Sequence, residues 1–362
     1  MSSEGRDPAA DLREIAFRLE RANEASYRVR AFRSAAAAIG KLSAEELADK
    51  VADGTLTKLS GVGEVTARCV AESLAGEEPV YLRRLAATEG TDLDTETEAL
   101  RKALRGDCHA HSDWSDGGSP IAEMALAAAR LGHEYLVVTD HSPRLTVARG
   151  LSPERLRTQL DQIAELNGML PEGFRILTGI EVDILADGSL DQEPELLAEL
   201  DVVVGSVHSK LADERAAMTE RMLAAIANPH LDILGHCTGR RLSTKDGPSA
   251  KPTGDRAHRR SPVRKESEFD ADAVFAACAR YDKAVEINCR PDRLDPPKRL
   301  LRLAVEAGCR FSIDTDAHAP GQLEWQPYGC ERAEQCDVPP DRVINTKPLE
   351  DLLAWTTSPP NR

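Results

Sequence analysis

The chain has 362 residues, too many for most single small domains, so length alone points to two units, one of them large enough for a barrel. A formal charge of −15 argues against tight, nonspecific nucleic-acid binding by overall electrostatics, although divalent cations would neutralise carboxylates locally. Eight cysteines with no C-x-x-C pair, no signal peptide and no long apolar span predict reduced thiols in a cytoplasmic protein with no membrane partner and no cysteine-held structural zinc.

Residues 1–10 read as a disordered tail. From Asp11 a helical pattern begins, with Leu12, Ile15, Ala16, Leu19 and Ala22 on one face, and a second amphipathic run covers Tyr27 to Ile39. A third helix is expected near Ala44 to Ala52. It precedes Leu59-Ser-Gly-Val-Gly-Glu-Val-Thr-Ala67, where Gly61 and Gly63 open another apolar helix. Glycines at a helix N-terminus can free backbone N–H groups to face an anion, while a tight helix–helix turn needs the same residues. Residues 86–103 form a polar, acidic linker ending in a short helix. Its Asp92-Leu-Asp94 imitates a polymerase aspartate pair, but fewer than twenty residues cannot supply a palm domain around it.

After residue 104 short apolar runs alternate with helical stretches, the pattern of a parallel α/β architecture. The runs are Gly106 to His109, Tyr135 to Thr139, Arg175 to Ile180, Asp201 to Gly205, Asp232 to Gly235, Ala284 to Asn288 and Arg310 to Asp314. Each ends in metal-capable or anion-capable residues: His109/His111, Asp140/His141, Glu181/Asp183, His208, His236, Asn288/Arg290 and Asp316/His318. In a closed parallel barrel such residues share one mouth. His109 and His111, at i and i+2 on an extended segment, project to one side and suit one ion. Six of the nine histidines fall at these ends, together with Asp116, Glu181 and Asp316. A carboxylate such as Glu181 can bridge two ions, and a closely spaced pair neutralises phosphoryl oxygens, so phosphoester hydrolysis is the expected chemistry. Arg290 and Arg240 are candidates to clamp a phosphate through a planar fork. Asp140 is a candidate to orient an imidazole or to cap a helix.

Two resemblances bear on these readings. Residues 11–85, with Tyr27-Arg-Val-Arg-Ala-Phe-Arg33 and the Leu-x-Gly-Val-Gly turn, resemble the N-terminal helix-hairpin-helix domain of family X DNA polymerases. That implies binding to gapped or ended DNA through Gly61 and Gly63, although Glu64 follows where a neutral or basic residue would serve a phosphate better. Residues 104–362 resemble a PHP ("polymerase and histidinol phosphatase") domain. The matching motifs are Asp-Cys-His-Ala-His-Ser-Asp-Trp-Ser-Asp-Gly, Val-Thr-Asp-His-Ser, Gly-Ile-Glu-Val-Asp-Ile-Leu, Gly-Ser-Val-His, Leu-Gly-His and Asp-Thr-Asp-Ala-His. The resemblance implies a distorted (β/α)7 TIM-like barrel after a small all-α domain, with up to three divalent metals, Mn2+ or Zn2+. It places His109, His111, Glu181 and Asp316 on one ion, Glu181, His208 and His236 on a second, and Asp116, His141 and His318 on a third. His109, His111, Glu181, His208 and Asp316 are then the catalytic set.

The segments around Asn288, Arg293-Leu-Asp295 and Asp316-Ala-His-Ala-Pro-Gly-Gln-Leu are most similar to the PHP domain of bacterial PolX proteins, here without the polymerase palm. That branch implies 3′-5′ exonuclease or 3′-phosphatase action on DNA ends or gapped DNA. A phosphatase for a small phosphomonoester such as histidinol phosphate, or a noncatalytic DNA-end-binding module, are the alternatives. Residues 243–266 are a basic insertion, read as a flexible loop or as an arm that holds a DNA strand.

Overall fold

The computed structural model describes residues 5–88, 95–243 and 262–358. Residues 1–4 of the expected tail, the Asp92-Leu-Asp94 pair and residues 244–261 of the basic insertion lie outside them. The chain divides into two compact units near residue 92.

The first unit is all helical, with helices Pro8–Arg21, Ser26–Ile39, Ala44–Ala52, Glu64–Leu74 and Val80–Thr88. The first helix starts three residues before Asp11. Pro8 sits in its first turn, where its missing N–H costs nothing, and the Asp7 carboxylate accepts from the Ala9 N–H at 2.8 Å. Leu12, Ile15, Ala16 and Leu19 form its buried stripe and share one core with Phe32, Ala35, Ala36 and Ile39 of the second helix. Ser43 and Glu46 close a reciprocal capping box on the third helix. In the hairpin that follows, Gly61 adopts φ +89°, a left-handed conformation that any side chain would strain.

The second unit is a seven-stranded parallel sheet that curls into a nearly closed barrel, as the alternating pattern predicts. Its strands are β1 (Gly106–Ala110), β2 (Tyr135–Val138), β3 (Arg175–Asp183), β4 (Val202–Ser206), β5 (Ile233–Leu234), β8 (Ala284–Asn288) and β9 (Arg310–Asp314), hydrogen-bonded in that order. Between β5 and β8 a short antiparallel pair, β6 (Arg241–Leu242) and β7 (Pro262–Arg264), stands apart from the barrel sheet. The strands carry near-continuous apolar runs because both faces are covered. β3 runs to Asp183, beyond the expected end at Ile180, so Glu181 is paired within the sheet opposite Val204. The helix Thr95–Ala103 belongs to this unit, and its Thr97 hydroxyl donates to Glu334 at 2.5 Å.

Side chains close the seam between β9 and β1. The Asp107 carboxylate accepts from the Thr315 hydroxyl at 2.6 Å, and the Cys108 N–H donates to Asp314 at 2.8 Å. Lower in the seam the amide of Asn345 donates to the carbonyls of Gly106 and Ile313 at 3.1 and 2.8 Å and accepts from the Ile313 N–H at 3.1 Å. These groups satisfy strand edges that a fully closed barrel would pair directly. Burial raises Asp107 to about 6 and, with Asp107 and Glu286 nearby, drives Asp314 well above the usual carboxylate range.

Candidate metal centre

All parallel strands end at one mouth, and the mouth is lined by histidine and carboxylate. Three groups of ligand atoms converge there: His109, His111 and Asp316; His141, Glu181 and His208; and His111, Asp116, His141 and His318. Glu181 stands at the centre. Its Oε2 lies 2.8 Å from His141 Nδ1, 3.5 Å from His109 Nε2 and 3.6 Å from His111 Nε2. Its Oε1 lies 2.9 Å from His236 Nε2 and 3.3 Å from His208 Nε2. Asp316 Oδ1 is 3.4 Å from His111 Nε2, and Asp116 Oδ1 is 3.4 Å from both His141 Nε2 and His318 Nε2. Every residue expected as a ligand is therefore part of one contiguous group.

Hydrogen bonds do not satisfy this group. His109 Nε2, both ring nitrogens of His111, His208 and His236, His141 Nδ1 and both oxygens of Glu181 are buried without a hydrogen bond of acceptable geometry. A buried polar atom left without a partner costs about 1–3 kcal/mol, so a cluster of this size calls for a further partner. Divalent cations meet the need directly, since imidazole nitrogens and carboxylate oxygens are their donors. The residues present fit metal ions.

The electrostatics are those of histidines and carboxylates packed together out of water. Although burial works against it, the carboxylates of Glu286 and Glu181 hold His109 well above the usual imidazole range. Glu181 and Asp116 likewise overcome burial and raise His141 to about 10. His111, with burial and the neighbouring His318 and His141 all acting against its charged form, falls well below it. Despite burial, His208, His109 and His141 push Glu181 well below the carboxylate range, and Arg290 and Arg293 do the same for Asp316.

The backbone is shaped to the task. Asp316 sits at φ +51°, a left-handed conformation rare for a non-glycine residue and a form of strain typical of functional sites. The His111 N–H donates to the Ala317 carbonyl at 2.7 Å, which ties the end of β1 to the turn that carries Asp316 and His318.

Glu286 was not among the expected site residues. Its Oε1 lies 2.6 Å from His109 Nδ1, which leaves Nε2 to face the ligand group, and Asn288 donates to both Glu286 and Asp316 at 3.2 Å. The signal was a glutamate inside the apolar run Ala-Val-Glu-Ile-Asn, where a charge requires a partner.

Arg290 and Arg293 both reach the centre. Arg290 Nη1 lies 3.5 Å from Asp316 Oδ1 and 2.9 Å from His318 Nδ1, with its guanidinium 6.0 Å from the Trp325 ring centroid. Arg293 Nε lies 3.1 Å from Asp316 Oδ2, yet Nε and Nη1 make no hydrogen bond of good geometry.

Arg240, expected beside Arg290, is engaged elsewhere. Its Nε donates to the Arg293 carbonyl at 2.9 Å, its Nη2 to the Leu294 carbonyl, and its Nη1 is 3.5 Å from Glu266. It holds the loop that presents Arg293, which sequence position after the His236 strand could not distinguish from facing the metals. Asp140 takes neither role expected of it. It accepts from the N–H and hydroxyl of Ser112 at 2.9 and 2.5 Å and from the Gln159 amide at 2.6 Å, and so fixes the loop between His111 and Asp116.

In the helical unit Gly61 and Gly63 are exposed at the hairpin. The Gly63 N–H donates to Thr66 Oγ1 at 3.0 Å, so this donor is taken within the helix cap instead of being free for an anion. The arginines of the second helix are also engaged: Arg33 meets Glu20 with two bonds of 2.8 and 2.9 Å, and Arg28 donates to the Tyr81 hydroxyl at 2.6 Å.

Comparison with known proteins agrees with this architecture. The PHP domain family matches residues 107–290, and a helix-hairpin-helix domain family matches residues 5–78. The chain belongs to the PHP family and is a PHP-type metal-dependent phosphoesterase preceded by a helix-hairpin-helix domain. It is 35% identical over 270 residues to the DNA polymerase/3′-5′ exonuclease PolX of Bacillus subtilis (strain 168), a match that covers 74% of this chain and 44% of that protein. The chain thus spans less than half of that relative. It is 26% identical over 252 residues to a "Probable phosphatase" of Thermoanaerobacter sp. (strain X514), covering 66% of this chain and 89% of the relative. Among solved structures, histidinol phosphate phosphatase from Lactococcus lactis, complexed with zinc, L-histidinol and phosphate, aligns with a TM-score of 0.43 at 17% identity, covering 64% of this chain and 92% of that one.

No helix among the described residues is long and apolar enough to cross a membrane. All eight cysteines are free and buried.

Proposed function

We propose that this protein hydrolyses phosphoester bonds at DNA ends, as a 3′-5′ exonuclease or 3′-phosphatase. The observation that carries the reading is the pairing, in one chain, of a helix-hairpin-helix domain with the buried ligand group at the barrel mouth. The similarity to PolX supports it.

His109, His111, Glu181 and Asp316 would hold one ion, Glu181, His208 and His236 a second, and Asp116, His141 and His318 a third. The imidazoles suit Zn2+ and the carboxylates admit Mn2+. Bound ions would supply Lewis-acid activation of water and neutralisation of phosphoryl oxygens. The chain's own residues do the rest. Glu286 fixes the His109 ring so that Nε2 faces inward. Arg293 and Arg290 offer guanidinium N–H groups to a phosphate beside Asp316. Asp116 and His318 have the most exposed side chains of the ligand set, at 39% and 20%, and so mark the side from which substrate enters. At the hairpin, the first-turn N–H groups of the helix Glu64–Leu74 would meet a DNA phosphate. The free buried thiols support a cytoplasmic setting.

A second reading, a phosphatase for a small phosphomonoester such as histidinol phosphate, is favoured by the similarity to the Thermoanaerobacter protein, which is aligned over nearly its full length. One experiment separates the two. The Mn2+-loaded protein is given a 5′-labelled gapped duplex beside a panel of small phosphomonoesters, with Asp316→Asn as control. Stepwise loss of 3′ nucleotides, abolished in Asp316→Asn, is the expected result. Intact DNA with turnover of a phosphomonoester would replace the first reading by the second, and DNA binding with no hydrolysis of any substrate would leave a noncatalytic end-binding module.

A further inference from the structure

A cavity of about 720 Å³ opens in the barrel unit beside the β6–β7 pair, and nothing in the metal centre uses it. Its walls carry Arg215, Arg240, Lys265, Lys298, Arg299 and Arg332 against two glutamates, Glu266 and Glu268. Part of this charge is compensated. Glu266 is shared by Arg299 and Arg240, and Arg215 lies 3.2 Å from Asp270. Among the described residues Lys265, Lys298 and Arg332 have no carboxylate within ion-pair distance.

Arg332 is the unusual member. The residue is only 5% exposed; Nη2 donates to the Pro296 carbonyl, and Nε has no hydrogen-bond partner. Burial, with Arg240 nearby, lowers its guanidinium to about 10. A buried cation with no carboxylate in ion-pair contact is costly, and an anionic ligand would offset that cost.

The helix Lys298–Glu306 adds a second anomaly. It opens with Lys298 and Arg299, has no acidic residue in its first turn and has no side-chain cap. Basic residues at the positive end of a helix are unfavourable, and the N–H groups there need acceptors. One anion in the cavity would reverse the sign of both anomalies. Leu242, Phe269 and Leu300 give the same cavity an apolar side, and its volume exceeds that of a single phosphate.

We propose that this cavity is a second anion site, separate from the metal centre, that takes a phosphate group carried on a nucleotide, with sugar or base against the apolar side. The loop 290–297 relates it to the metals. Arg290 and Arg293 of this loop point at Asp316, while Arg240 and Arg332 from the cavity bond the carbonyls of Arg293, Leu294 and Pro296. Resting on the DNA-end reading, the occupant is an upstream phosphate of the strand whose 3′ end lies at the metals. A free nucleotide offers the same chemistry, and the test separates the two sources.

The test compares the metal-stripped full chain with the double variant Lys265→Ala/Lys298→Ala and with Arg332→Met. Binding of a 5′-fluorescein oligodeoxythymidylate is followed by anisotropy against salt, and binding of inorganic phosphate and of dTMP by 31P NMR. Turnover of bis(p-nitrophenyl) phosphate by the metal-loaded proteins reports the metal centre independently. The expected result for the double variant is about tenfold weaker oligonucleotide and phosphate binding with a shallower salt dependence and unchanged small-substrate turnover. Weaker phosphate and dTMP binding with oligonucleotide binding unchanged would keep the site and overturn the strand path. Unchanged affinity for all three probes in the double variant would overturn the site itself, whatever Arg332→Met does to folding. Should the protein bind phosphate here yet leave DNA intact, the DNA-end reading fails and the site stands.

Discussion

The helical unit and the barrel mouth treat buried charge in opposite ways. In the helical unit each buried carboxylate is answered from within: Glu20 by the fork of Arg33, Asp11 by Arg6 at 2.7 Å and by the Ser73 hydroxyl at 2.6 Å. In the barrel, Glu181 faces five imidazoles and makes no hydrogen bond of good geometry. Among the described residues of the helical unit no buried side-chain polar atom lacks a hydrogen bond, whereas the barrel mouth gathers ten that do and that suit cations. A closed set of hydrogen bonds marks architecture, and an open one marks chemistry.

The contrast is broken most severely at Glu181. Glu181→Gln keeps the shape but removes the charge at the centre of the proposed ligand set. Hydrolysis should fall by on the order of 10³-fold or more, with metal content by elemental analysis reduced by at least one ion. Retained activity would show that the open set is not the catalytic one.

Two arginines that meet at the 290–295 loop give a sharper test. Arg293→Ala removes a cation from Asp316 and should lower kcat by on the order of 10²-fold. Arg240→Ala frees the carbonyls of Arg293 and Leu294 behind that loop and leaves Glu266 to Arg299. It should cost about 1–3 kcal/mol of stability in a denaturant titration, with a smaller loss of kcat.

Glu286→Gln keeps a hydrogen-bonding group on His109 Nδ1 but withdraws its charge. Metal affinity should drop by about 10–100-fold, read by competition with a chelator.

Acidity distinguishes the units next. With His141 raised to about 10 in the metal-free protein, its stabilising contribution is complete below the ordinary imidazole value near 6.5 and is lost as pH rises toward 10. Glu181, held low, contributes above the usual carboxylate range and loses that contribution on acidification. The metal-free protein should therefore show a falling Tm between pH 6.5 and 10. Metal loading should abolish that fall, release protons at pH 7 and tighten with rising pH.

The smallest effect belongs to the helical unit. Gly61→Ala at φ +89°, with Ser34 3.3 Å from the added methyl group, should cost about 1 kcal/mol without changing hydrolysis of a small phosphodiester.

Much of this was legible in the sequence, for reasons that differ by residue. The strands of the barrel follow from apolar runs of the right length, and the ligand set from where those runs end. Glu181 and His236 could be placed at one mouth without coordinates because parallel strands leave no other arrangement. What lay beyond reach depends on which way a side chain turns after the strand stops. Arg240 and Arg293 are both arginines in loops after a barrel strand, and only the fold shows that one braces the backbone of the other. Asp140 adjoins a ligand histidine in sequence yet serves the Ser112 loop, since neighbouring residues at a strand end point to opposite sides. The glycine pattern alone leaves the Gly63 donor open between an anion and a tight turn, because capping by Thr66, three residues on, is a choice of side-chain geometry. Glu286 was visible as a charge in an apolar strand, but its partner, 177 residues away at His109, was not.

The most direct test is a titration of the metal-stripped protein with Mn2+, following bis(p-nitrophenyl) phosphate hydrolysis and bound metal together. Activity should be absent at the start, rise only as more than one ion binds per chain, and be missing throughout in Glu181→Gln. Full activity in the presence of a chelator, or saturation at a single ion, would contradict the account.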